Sequence, residues 1–179
     1  MSALHGLIHV LARGQALALL LIAGAAFAED KEPVAIVELG AAGEWGLNSG
    51  GSSFGPTAAV EFTPIKNWLE IETGAQTLFS HGQTEWDTDF VFKKPFDLSP
   101  TVEFEPGIGP VWIRTVSAGR TTNAIGAEAV ADFMFWPTPD RKFGWFLEPS
   151  CTYSFGPGRE QSFGVSAGLL IPINSGGRQ

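Results

Sequence analysis

The chain has 179 residues, 44% of them hydrophobic, with 19 Asp and Glu against 11 Lys and Arg, a formal charge of −8. That balance excludes the basic surface that nucleic-acid recognition requires. Cys151 is the only cysteine, which excludes an intrachain disulfide, and the length fits one domain.

Residues 1–28 carry Arg13, an apolar run Ala16–Ala23 and the small-residue triplet Ala26-Phe27-Ala28 ahead of Glu29-Asp30. This is the layout of a secretory signal peptide cleaved after Ala28, since the run is well short of the ~20 residues that span a bilayer. Cleavage leaves one domain, 29–179, of 151 residues (179 − 28). It keeps ten basic residues against nineteen acidic ones, a charge of −9.

Beyond the leader the apolar period is two, not three to four, and strands follow from it. The clearest stretch is Asn67–Phe79, where Leu69, Ile71, Thr73, Ala75, Thr77 and Phe79 point one way and Glu70, Glu72, Gly74 and Gln76 the other. Strands are predicted at Val34–Gly43, Phe54–Thr63, Asn67–Phe79, Glu85–Lys94, Thr101–Arg114, Asn123–Trp136, Phe143–Phe155 and Gln161–Ile173. Three Pro-rich connections, Pro64–Lys66, Pro95–Pro100 and Pro137–Lys142, alternate with Glu44–Ser53, Ser80–Thr84, Thr115–Thr122 and Gly156–Glu160. Eight strands put both chain ends on one side, so the Pro-rich set is expected to face the periplasm and the other set the outside.

Across the predicted strands one face is greasy, and the other collects the acids among Gly, Ala, Ser and Thr. Leu39, Val60, Ile71, Phe92, Ile108, Trp112, Phe133, Leu147 and Leu169 belong to the first, and Glu38, Glu61, Glu70, Glu72, Glu103, Glu105, Glu128, Asp132 and Glu148 to the second. Aromatics gather at the strand ends. Phe62, Trp68, Phe92, Phe104, Phe133, Phe135, Phe143 and Trp145 lie near one end, and Trp45, Phe54, Phe79, Trp86, Trp112, Phe155 and Phe163 near the other. Two girdles around a band of smaller residues are the pattern of a membrane barrel. The competing architecture is a soluble, exported β-barrel with the greasy face inside, holding an apolar ligand; alternation alone does not say which face is the lumen.

The last strand, Ser166-Ala167-Gly168-Leu169-Leu170-Ile171-Pro172-Ile173, resembles the C-terminal insertion signal of bacterial outer-membrane proteins, with Ile173 where an aromatic usually ends it. With the girdles, it makes the chain similar to the small OmpA-type transmembrane barrels. The resemblance implies an all-β, eight-stranded antiparallel up-and-down barrel in a Gram-negative outer membrane. Its partners would be outer-membrane lipids and the outer-membrane assembly machinery, and its interior would be filled by side chains without an open pore. Pro106, Pro110 and Pro149 fall inside strands and predict bulges, or less regular strands, there.

No catalytic, cofactor or metal site is expected. Ser80-His81 with Glu85 has the wrong order and spacing for the His-x-Ser of lipid A deacylases, Gly107 and Gly109 open no helix, and Asp87 with Asp89 lacks the rest of a calcium loop. The expected role is therefore non-enzymatic, structural or mediated by outer loops, with a lipid-modifying or solute-passing barrel as the alternative.

What the sequence does offer is a charge network. Counting across the turns pairs Glu38 with Glu61, Glu61 with Glu70, Glu70 with Lys93 and Lys93 with Glu103, then sets Asp132 beside Glu103 or Glu105 and opposite Glu148. A row of acids results, with Lys93 as its one cation, flanked by Glu70 and Glu103. Such a row requires shared protons, or water and a bound cation.

Overall fold

The computed structural model describes residues 33–138, 140–156 and 159–174; the expected leader, 1–28, lies outside them. The described residues form nine strands: β1 (Ala35–Gly46), β2 (Ser52–Ile65), β3 (Leu69–Ser80), β4 (Gln83–Lys93), β5 (Phe96–Ser99), β6 (Val102–Ser117), β7 (Arg120–Phe135), β8 (Gly144–Ser154) and β9 (Gln161–Ile173). All neighbours are antiparallel, β9 pairs with β1, and β4 pairs with β6, so the sheet closes on itself.

β4 and β5 are one stave. Both pair with β6 in a single register, Lys93 opposite Gly107 and Phe96 opposite Phe104, and the barrel therefore has eight. The predicted loop Pro95–Pro100 is mostly strand, because Phe96 stacks on Phe104 with centroids 6.4 Å apart and holds this segment against β6. Only a tight turn between Ser99 and Val102 remains.

A path of paired residues from Phe62 runs through Ile71, Phe92, Ile108, Ala129, Cys151, Phe163 and Trp45 and returns to β2 at Ser52, ten residues from its start. That stagger tilts the staves as closure demands, and an eight-strand barrel leaves an interior just wide enough for side chains. Alternation then fixes the faces. The greasy residues are outside, where Leu39, Phe54, Ile108, Ile125, Leu169 and Ile171 are exposed, and the acids of the staves are inside, with Asp97 at the rim. A soluble barrel with an apolar interior is thereby overturned.

The two aromatic bands fall where the alternation puts them. Trp45 stacks beside Phe163 and Phe54 pairs with Phe79 at the upper end; Phe104 packs on Phe133 at 4.8 Å and Phe135 on Trp145 at 3.9 Å at the lower, which also holds both ends of the barrel. Among the described residues, no charged side chain faces outward between the bands.

The bulges expected at Pro106, Pro110 and Pro149 do not form. Both ladders of β6, and that of β8 with β9, keep one register through these residues. Each proline costs a rung instead: the Lys94 amide still bonds the Pro106 carbonyl at 3.0 Å, but the opposing donor is missing. The shifts that do occur are near Pro64 and in the Ser99 turn.

Three of the four upper connections are shorter than predicted. β3–β4 and β6–β7 turn through two residues each, His81-Gly82 and Ala118-Gly119. Ala118 (φ 47) and Gly119 (φ 76) both lie in the left-handed region, the conformation of a type I′ hairpin turn, which favours Asn-Gly. Ala118→Asn should therefore stabilise the protein by about 0.5–1 kcal/mol, given the ~1–2 kcal/mol cost of left-handed backbone for an ordinary L-residue; urea unfolding in detergent measures it.

Candidate functional site

The inward faces of the staves build a lumen in layers. At the lower mouth Arg141, from the connection between β7 and β8, donates to Glu103 at 2.7 Å and Asp97 at 3.2 Å and lies over the Trp136 ring, 5.5 Å from its centroid. Trp136 joins Ile36, Met134, Phe146 and Leu170 in a buried apolar cluster on one side of the lower lumen. Glu61, Glu70 and Glu105 fill the other side, their carboxylate oxygens within 4.8 Å of one another.

Above this level Lys93 crosses the barrel. It is 1% exposed, and its ammonium lies 2.9 Å from Asp132, 3.3 Å from Glu61 and 3.4 Å from Glu148, with Glu72 as a fourth partner in hydrogen-bond contact. Gly107 makes room for it: a Cβ there would stand 2.9 Å from the Lys93 Cγ and 2.7 Å from Val91. Neutral donors hold several surrounding acids, Thr63 on Glu70 at 3.0 Å, the Gly74 amide on Asp89 at 2.9 Å and Ser166 on Glu148 at 3.4 Å.

Next comes a polar chamber of about 30 Å³, room for a water or two, and its walls include Glu38, Glu72, Asp89, Glu128 and Glu148 beside Gly74 and Gly164. Towards the upper mouth Leu78 is buried, and Glu44, Glu85 and Asp87 converge.

The predicted register is displaced in places. Glu70 does pair with Lys93, and Glu105 with Asp132. Lys93, however, is not flanked by Glu70 and Glu103; its register partner on β6 is Gly107, and Glu103 pairs with Asp97 and binds Arg141. Glu38 opposes Ala59 rather than Glu61, and Glu61 opposes Glu72 rather than Glu70. Nor is Lys93 the one cation of the network, since Arg141 enters from below. Alternation had already turned Glu72 and Glu128 inward. Arg141 carried no such signal, because a residue in a connection has no strand parity. His81 is exposed in its turn, and Cys151 is exposed on the outer face.

A closed barrel of eight staves, banded with aromatics outside and charged within, is the fold of the small outer-membrane barrels. Solved structures that share it include the following three. Neisserial surface protein A has a TM-score of 0.62 at 13% identity, covering 78% of this chain and 96% of that one. Ail, the attachment invasion locus protein of Yersinia pestis, scores 0.54 at 12% identity over 78% and 97%. The N-terminal β-barrel domain of Pseudomonas aeruginosa OprF scores 0.54 at 13% over 76% and 97%. No protein-family model and no curated protein sequence matches the chain.

Proposed function

We propose that the chain is a non-enzymatic barrel of the Gram-negative outer membrane with a structural role, and that it does not pass solutes. The observation that carries this reading is the lower lumen, where Ile36, Met134, Trp136, Phe146 and Leu170 are buried against each other and Lys93 bridges the layer above. The apolar cluster, the buried carboxylates facing it and the cross-braced ion network above them fill this section of the lumen, and an eight-stave barrel has no spare width.

The uncharged outer face between the aromatic bands supports lipid as its surroundings and the outer-membrane assembly machinery as its route there. Two neighbours are named as a surface protein and an attachment invasion locus protein. A comparable loop-mediated role would fall here to the connections Leu47–Gly51 and 155–160, because the other two upper connections are two-residue turns.

The test is cell fractionation, boiling and bilayer recording on one preparation. The protein should fractionate with outer membranes, change gel mobility on boiling, and give no steady conductance in a planar bilayer. Periplasmic recovery would overturn the address, and stable single-channel steps would overturn the sealed lumen.

A further inference from the structure

Among the described residues, three groups of lumen carboxylates are tight enough to hold a cation. In the first, Glu38, Glu61, Glu72 and Asp132, the ammonium of Lys93 already supplies one. The second, Glu61, Glu70 and Glu105, shares Glu61 with that ammonium and is buried throughout. The third differs from both.

Glu44 on β1 and Glu85 and Asp87 on β4 bring carboxylate oxygens within 4.8 Å of one another near the upper mouth. β1 and β4 are not neighbours; β2 and β3 stand between them, so the group spans the lumen and does not run along one seam. The ion pairs of Lys93 and Arg141 go to other acids. Glu160, in the connection leading to β9, adds its field to that on Glu44 and Glu85.

Asp87 brings a buried oxygen without a partner to this group. It is 4% exposed, and one oxygen, Oδ2, accepts from the Gln76 side chain at 2.9 Å. The other, Oδ1, is buried with no hydrogen-bond partner, a state costly for any buried acceptor and more so for a carboxylate. Thr115 fixes Glu85 from the far side at 2.8 Å. Glu44 and Glu85 are half-buried, which gives an ion a route from solvent.

From this we infer that Glu44, Glu85 and Asp87 bind a hard divalent cation of the Ca²⁺ class at the upper mouth of the lumen. Oxygen donors spread over separate carboxylates suit such an ion, which takes six to eight oxygens in flexible geometry, water completing the set. Bound there, it ties β1 to β4 across the interior and offsets the acids at the open end, as Lys93 does deeper in.

Tb³⁺ stands in for Ca²⁺ in the test. Trp45 follows Glu44 and Trp86 lies between Glu85 and Asp87, so tryptophan excitation should sensitise a bound lanthanide. The barrel folded in nonionic detergent should give saturable Tb³⁺ luminescence that Ca²⁺ displaces. Asp87→Asn and Glu44→Gln should each weaken Ca²⁺ by at least the roughly 10–100-fold that loss of even an outer-shell partner costs, whereas Glu105→Gln in the lower group should leave it unchanged. Gel mobility before boiling confirms that each variant is folded, and Glu44→Gln, at a half-buried position, carries the test should Asp87→Asn not fold. No saturable binding by the parent, undiminished binding in the folded variants, or loss confined to Glu105→Gln would each overturn the inference.

Discussion

Replacing Lys93 by Met should lower the unfolding free energy by about 3–5 kcal/mol, the cost of leaving buried charge without its partner. The expectation rests on what the ammonium touches. Asp132, Glu61, Glu148 and Glu72 converge on it from four staves, three of them not adjacent to β4, and Met keeps the length of the side chain while removing the charge. Four carboxylates would then face one another at the centre of a barrel with little water to screen them. Acid should narrow the gap between variant and parent, because each proton taken up by these carboxylates removes a charge that Lys93 was balancing. A compensating change should do the same at neutral pH. Lys93→Met with Asp132→Asn removes one charge of each sign and should recover part of the loss, the two sites being in contact and so non-additive. Denaturant titrations of the parent, both variants and Lys142→Met in detergent decide the matter. Lys142, exposed in its connection and paired with Asp140, serves as the surface control and should show no measurable change. Equal stability of Lys93→Met and the parent would mean that water reaches and screens the network.

The difference between what the sequence shows and what it hides is visible around this same lysine. The inward turn of Lys93, Glu70, Glu105 and Asp132 follows from alternation, because a period of two needs no knowledge of the turns. Pairing does need it. A hairpin partner is found by reflection about the turn centre, so an error of two residues there moves the partner by four. The Pro95–Pro100 segment looks like a loop centred near 98, whereas the turn is centred between Ser99 and Val102, and Lys93 consequently opposes Gly107, not Glu103. At the other end of β4 the turn is His81-Gly82, marked by its glycine, and the pairing of Glu70 with Lys93 is legible from it. Contacts across the lumen are a different matter. Glu61, Asp132 and Glu148 reach Lys93 because the barrel closes with a particular stagger, and no local pattern records that. The group formed by Glu44, Glu85 and Asp87 was hidden for the same reason, with Glu44 and Glu85 at or near the edges of predicted connections and two unrelated staves between them.

Ile108→Arg should block assembly of the barrel, and it is a sharper probe of the outer face than the position the sequence alone favours. In the strand pattern Ile71 looks like the middle of a greasy face, and Ile71→Arg is expected to block assembly, with Gln76→Arg milder. The fold sets their depths differently. Along β3 the outward residues run from beside Trp68, in the lower aromatic band, to Phe79 in the upper, and Ile71 lies well below their midpoint; its partner on β2, Phe62, belongs to the lower band. Arg there can extend its guanidinium to the interface, where the cost falls to about 0–1 kcal/mol. On β6, by contrast, Ile108 is four residues from Phe104 below and four from Trp112 above, and it is 63% exposed. Arg at that depth costs about 2–4 kcal/mol, with both interfaces at the limit of its reach. Gln76 faces the lumen and donates to Asp87, so Gln76→Arg delivers a cation beside Glu44, Glu85 and Asp87 and should assemble. The heat-modifiable fraction in isolated outer membranes reads all three: Ile108→Arg severely reduced, Ile71→Arg mildly, Gln76→Arg near the parent. Assembly of Ile108→Arg at the parent's level would mean that this face does not meet the hydrocarbon core.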